Sequence, residues 1–190
     1  MATQYKEEYT RASIKGFQLK NVKQTLGREG YGCTATMYLH GKKIGTYADY
    51  GDGGCEHVDY ISKEAEVEMM KIIIEYAKEH PNKFIVDLYH DRPQQFKEEC
   101  ERFKKYHPYI PDEDITIETM ASNSIVYIVE GVLSLLDIEK QFKKCIKQGY
   151  RAISSNGHTM TMYPASWSDE RIKTEADGNE IYMSLDDFNK

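Results

Sequence analysis

Two pairs of strand-like segments in this chain are joined by connections too short for a helical crossover, and no other feature constrains the fold as tightly. Residues 31–40 (YGCTATMYLH) alternate Cys33, Ala35, Met37 and Leu39 on one side, and Gly41-Lys42-Lys43 separates them from a second run, residues 44–50. Towards the other end, residues 150–155 and 158–163 flank Asn156-Gly157, the favoured pair for a two-residue hairpin turn. Parallel neighbours need a dozen or more connecting residues, so both pairs are expected to be antiparallel.

The middle of the chain alternates in kind. Ser62 is placed to cap a helix whose apolar stripe is Ala65, Met69, Ile72, Ile73, Tyr76 and Ala77, and Pro81 stops it. Residues 83–90 (KFIVDLYH) are rich in β-formers and predict a short strand. Pro93 suits a helix start, with Phe96, Cys100 and Phe103 as its buried side. Residues 115–120 are expected to be extended, and residues 124–136 fit strand or helix equally. Residues 137–148 predict a helix on Ile138, Phe142, Cys145 and Ile146, ended by Gly149. Upstream, Ile14, Phe17, Leu19 and Val22 predict a strand with an irregularity at Gly16, and residues 56–61 a short continuation of the sheet.

Hairpins at both ends with helices between them predict an α+β fold. Its expected parts are an N-terminal antiparallel β-hairpin or sheet, about three helices packed with it, and a C-terminal β-hairpin. At 190 residues the chain is expected to be a single domain, with residues 1–12 and 165–190 peripheral. Trp167, Ile181, Tyr182, Leu185 and Phe188 are the groups that could dock the tail.

Charge narrows the partners. Asp and Glu number 31 against 25 Lys and Arg, a net charge of −6 that repels a phosphate backbone and suits a basic protein. Nucleic acid is therefore disfavoured, although the locally basic helices at 94–105 and 137–148 offer it a foothold. The apolar run near 125–136 is broken by Glu130 and Ser134 and is too short to span a bilayer, so no membrane partner is expected. Cys33, Cys55, Cys100 and Cys145 form no CxxC or CxxH pair, and the start MATQYKEEYTRAS has no apolar segment. Reduced thiols and a cytoplasmic location are expected.

The richest polar stretch is residues 49–59 (DYGDGGCEHVD). Asp49, Asp52, Glu56, His57 and Asp59 on a glycine scaffold could hold Mg²⁺, Ca²⁺ or Zn²⁺ for a metal-dependent hydrolase or cation-binding module. The spacing is not that of an EF-hand, and a turn built from Gly and Asp accounts for the same residues. No cofactor is expected. Gly27-Arg28-Glu29-Gly30-Tyr31-Gly32 looks like a phosphate-cradling loop, but a strand follows it rather than the helix such loops open. Cys55, two residues before His57, is the one thiol in a polar loop, and His90-Asp91-Arg92 lacks the rest of a kinase catalytic loop. No catalytic constellation emerges. The surface reading instead rests on Tyr38, Lys42, Lys43, Tyr47, Asp49, Tyr50 and Asp52, with tyrosines on both faces of the first hairpin as protein contacts.

Residues 27–54, GREGYGCTATMYLHGKKIGTYADYGDGG, resemble uncharacterised accessory proteins of bacterial phages and other mobile elements. The resemblance implies a small acidic protein that inhibits host defence, as anti-CRISPR proteins do. Together with the residues, it makes the expected function that of a non-enzymatic, protein-binding inhibitor acting on a host defence nucleoprotein.

Overall fold

The computed structural model describes residues 12–157 and 159–190. All but one of the residues expected to form a peripheral N-terminus therefore lie outside the described residues. The chain divides into two compact units, one formed by residues up to Lys20 together with Glu130–Lys190, the other by Asn21–Val129. Helices and an antiparallel sheet at the N-terminal end make the fold α+β, as the connection lengths require.

In the unit Asn21–Val129, strands β1 (Phe17–Leu26), β2 (Tyr31–Leu39), β3 (Lys42–Asp49) and β4 (His57–Tyr60) lie in that order in one sheet, β1 entering it from the other unit. His40 and Gly41 form the β2–β3 turn, both at positive φ (48° and 77°), with Leu39 opposite Lys42. Two left-handed residues in a row match the twist of a hairpin, so this turn sets the register. Cys33 then faces Asp49, Ala35 faces Tyr47 and Met37 faces Gly45. One face of the sheet buries Cys33, Ala35, Met37 and Tyr47, while Thr34, Thr36 and Thr46 lie on the other. A Cβ at Gly45 would stand 2.3 Å from the Asp59 carbonyl oxygen, so glycine there lets β4 approach.

Helix α1 (Lys63–Glu79) starts where Ser62 Oγ accepts from Ala65 N at 3.2 Å, and lies against β3 and β4 with Ala65, Met69 and Ile73 buried.

The expected strand at 83–90 is instead helix α2 (Lys83–Asp91). Its β-forming residues are outweighed by a cap and by tertiary packing: Asn82 Oδ1 accepts from Ile85 N, and Ile85, Val86 and Tyr89 share the side that meets a helical core. Helix α3 (Pro93–Tyr106) faces it, with Tyr89 and Phe96 rings 5.3 Å apart. Ile74, Tyr89, Phe103, Ile110, Met120 and Ala121 make that core. The expected extension over 115–120 also fails, because Thr116 and Thr119 cap each other and open the short helix α4 (Ile117–Met120). Residues 124–136 resolve as helix, continuous with the expected 137–148, in α5 (Ile125–Lys147). The described residues thus contain six α-helices rather than about three, once α6 below is included.

In the other unit, β5 (Tyr150–Ser155) pairs with β6 (Met160–Pro164) on one side and with β7 (Glu180–Tyr182) on the other. The C-terminal hairpin is present, but its turn differs from the expected two-residue form. Residues 156–159 separate the strands, and Asn156 Oδ1 closes the loop by accepting from Thr159 N at 2.9 Å.

The tail supplies β7 and helix α6 (Asp169–Glu175), whose Ile172 joins Ala152, Tyr163 and Ala176 in a core cluster. Tyr182 stacks on Phe188 at 4.7 Å, and Phe142 lies 5.7 Å from the same ring. Glu139, 2% exposed, accepts from Ala12 N at 2.9 Å and pairs with Lys143.

Candidate protein-binding surface

The two glycine-rich segments, Gly27–Gly32 and Gly51–Gly54, meet backbone to backbone at one end of the first sheet. A Cβ on Gly27 would lie 2.2 Å from the Tyr50 carbonyl oxygen, and one on Gly32 would lie 2.2 Å from that of Asp49. Gly51 sits at φ 68°, where its own Cβ would stand 2.3 Å from the Gly30 oxygen. These contacts require glycine, since any side chain would push the loops apart.

Hydrogen bonds fix each loop internally and join the two. Gly27 N donates to Gly30 O at 2.9 Å, and Glu29 N to Gly51 O at 2.8 Å. Arg28 N donates to Asp52 Oδ1 at 2.9 Å, Gly51 N to Asp49 Oδ1 at 2.8 Å, and Thr25 Oγ1 to the Asp49 carbonyl at 3.1 Å.

Three large side chains stand out around this joint. Leu26 is 75% exposed, Tyr31 82% and Tyr50 52%. Each is next in sequence to one of the glycines in contact, so the clamped loops hold all three at the same end of the sheet. The Tyr50 ring lies 5.8 Å from that of His57. Loops tied by several backbone bonds lose little freedom when a partner arrives, and aromatic side chains are enriched where proteins meet.

The structure distributes the expected contact residues unevenly. Lys42, Lys43, Tyr50 and Asp52 are exposed, and Tyr38 and Asp49 are partly so. Tyr47 is a core residue, 3% exposed, because its pairing with Ala35 turns it to the buried face. Lys42 and Lys43 stand at the opposite end of β3 from Tyr50 and Asp52. Leu26, Tyr31 and Glu29 were not in the expected set. The available signal was the glycine spacing shared by the two loops, which points to close backbone approach.

The acids of the 49–59 stretch mostly build the loop. Asp49 and Asp52 accept the backbone bonds above, and Glu56 Oε1 accepts from Ser124 Oγ at 3.1 Å. Among the described residues, no group of three or more His, Cys, Asp and Glu side chains comes together to hold a metal ion. Asp59 faces Thr46, and His57 faces Ala48.

Burial pushes the Cys33, Cys100 and Cys145 thiols above the ordinary range, the opposite of nucleophile activation. Cys55 is exposed. On α3 the bases are interleaved with acids: Arg102 reaches Glu99 at 3.5 Å and Lys104 reaches Asp112 at 2.8 Å, which dilutes any basic stripe. Among the described residues, no helix is long and apolar enough to cross a membrane.

No known protein family, characterised protein or solved structure matches the chain.

Proposed function

We propose that the chain is a non-enzymatic binding protein that recognises a protein partner through the loop end of its first sheet. The observation that supports this is the exposure of Leu26, Tyr31 and Tyr50 around two loops held rigid by glycine contacts and backbone bonds. Exposed large apolar side chains gathered on an ordered scaffold have little structural purpose and suit the anchor residues of an interface. The resemblance in residues 27–54 adds a target class, a host defence nucleoprotein that the bound chain would inhibit in the cytoplasm.

Affinity capture from nuclease-treated host-type lysate tests the reading. One stoichiometric protein is expected with the native chain and is lost with the Tyr31→Ser, Tyr50→Ser double variant, whose circular dichroism stays native. Gly51→Ala should weaken capture too, because it parts the loops that position the rings although both tyrosines remain in the chain. Undiminished capture by the double variant sinks the proposal.

A further inference from the structure

The turn between β5 and β6 holds a reactive pair that the loop surface of the first sheet does not use. Of the six asparagines in the chain, Asn156 alone is followed by glycine. A carboxamide carbon always lies close to the backbone nitrogen of the next residue, so attack by that nitrogen needs no second molecule. Glycine leaves the nitrogen unshielded because it has no Cβ. Asn156 and Gly157 are both exposed, and Gly157 sits at φ 84° with open space around it.

The bonds around the carboxamide add to this. Asn156 Oδ1 accepts from Thr159 N at 2.9 Å and from Thr159 Oγ1 at 3.1 Å. Two donors on one carbonyl oxygen draw electron density from its carbon, and they stabilise the negative charge that the oxygen takes on under attack. The Gly157 N–H donates at 3.1 Å to the Ser155 hydroxyl rather than to a carbonyl of the sheet. Asn82 is a useful contrast: its Oδ1 also accepts a backbone bond, but Lys83 follows it and opens a helix.

We propose that Asn156 is a self-modification site, at which the folded chain converts its own asparagine to aspartate and isoaspartate. The Gly157 nitrogen gives its proton to hydroxide and bonds to Asn156 Cγ, while the negative charge passes to Oδ1 between the two Thr159 donors. The Cγ–Nδ2 bond then breaks, and Nδ2 takes a proton from water and leaves as ammonia. Water opens the resulting succinimide ring: at Cγ it restores the normal backbone as aspartate, and at the backbone carbonyl it leaves isoaspartate. The sum consumes one water and releases one ammonia, with nothing oxidised or reduced. Either product adds one negative charge to the net −6. Isoaspartate also lengthens the backbone by a methylene beside the Ser155–Met160 pair that closes the hairpin.

Peptide mass spectrometry of residues 152–171 tests this on the full chain, incubated in mildly alkaline buffer either folded or unfolded in guanidinium chloride. The folded chain is expected to convert at Asn156 about threefold faster or more, because only the fold brings the Thr159 donors to Oδ1. Thr159→Val removes the hydroxyl donor at an exposed position. It is expected to lose most of the advantage when folded and to match the native chain when unfolded, whereas Thr159→Ser keeps the advantage. A folded chain that converts no faster than the unfolded one overturns the inference, since the turn then shields its carboxamide or the reactivity belongs to the dipeptide alone. That comparison needs no variant, so it decides even where Thr159→Val disturbs the hairpin. A Thr159→Val chain with native circular dichroism that converts as fast as the native chain overturns it equally.

Discussion

At the scale of single residues, burial decides chemistry more than residue type does. His107 follows α3 half-buried, its ring 4.6 Å from that of Phe103 and its Nδ1 2.9 Å from the Tyr109 hydroxyl. Burial lowers its pKa, with Glu66 opposing and Lys63 adding to the shift. The folded state therefore binds this proton less readily than the unfolded chain. The resulting stability is complete above the unfolded value, near 6.5, and is lost as pH falls through the lower folded value. Urea midpoints for the native chain and His107→Gln should draw together as pH drops from about 7.5 to about 5. A difference that stays constant with pH would show that the histidine acts by packing alone. The same logic separates the tyrosines: Tyr47 and Tyr50 are three apart, yet one belongs to the core and the other is open to a partner. Alternation in β3 does not reveal this by itself, since the register shift between Met37 and Tyr38 resets which residues face the core.

At the scale of elements, junctions matter as much as stripes. Ser122, 1% exposed, accepts from Asn82 N at 2.8 Å and donates to the His80 carbonyl at 3.1 Å. It joins the end of α1 and the start of α2 to the residues after α4. Ser122→Ala leaves the half-buried Asn82 N–H without its acceptor and should cost about 1 kcal/mol in chemical denaturation. A loss of a few tenths would mean that water replaces the hydroxyl. Residues 83–90 show why the helical middle was hard to read. Lys-Phe-Ile-Val-Asp-Leu-Tyr-His has the composition of a strand, and the Asn82 cap together with contacts with Phe103, Met120 and their neighbours selects the helix. The 62–80 helix was legible because cap, stripe and stop agree along the sequence.

At the scale of the whole molecule, each unit has its own core. In the unit that includes Glu130–Lys190, the tail is part of that core: Tyr182 and Phe188 are at most 1% exposed, and β7 is the third strand of the sheet. A chain ending at Asn179 removes both rings together with the bonds that join residues 13–15 to residues 188–190. Such a chain should lose cooperative unfolding in this unit, seen as loss of protection of the β5 amides in hydrogen exchange. Native protection in the truncated chain would show that β5 and β6 stand without the tail.

The sequence by itself determined the antiparallel hairpins, the first long helix, the break at Pro81 and the α+β class, because connection length, caps and periodicity act locally. It also marked the glycine-rich segments, though as two separate loops. Tertiary structure decided that these loops clamp each other, that Leu26 and Tyr31 join Tyr50 at the surface, and that Tyr47 does not. It also turned residues 83–90 into helix and wove the tail into a sheet. Each of these outcomes depends on contacts between residues distant in sequence, where burial and close backbone approach outweigh local preference.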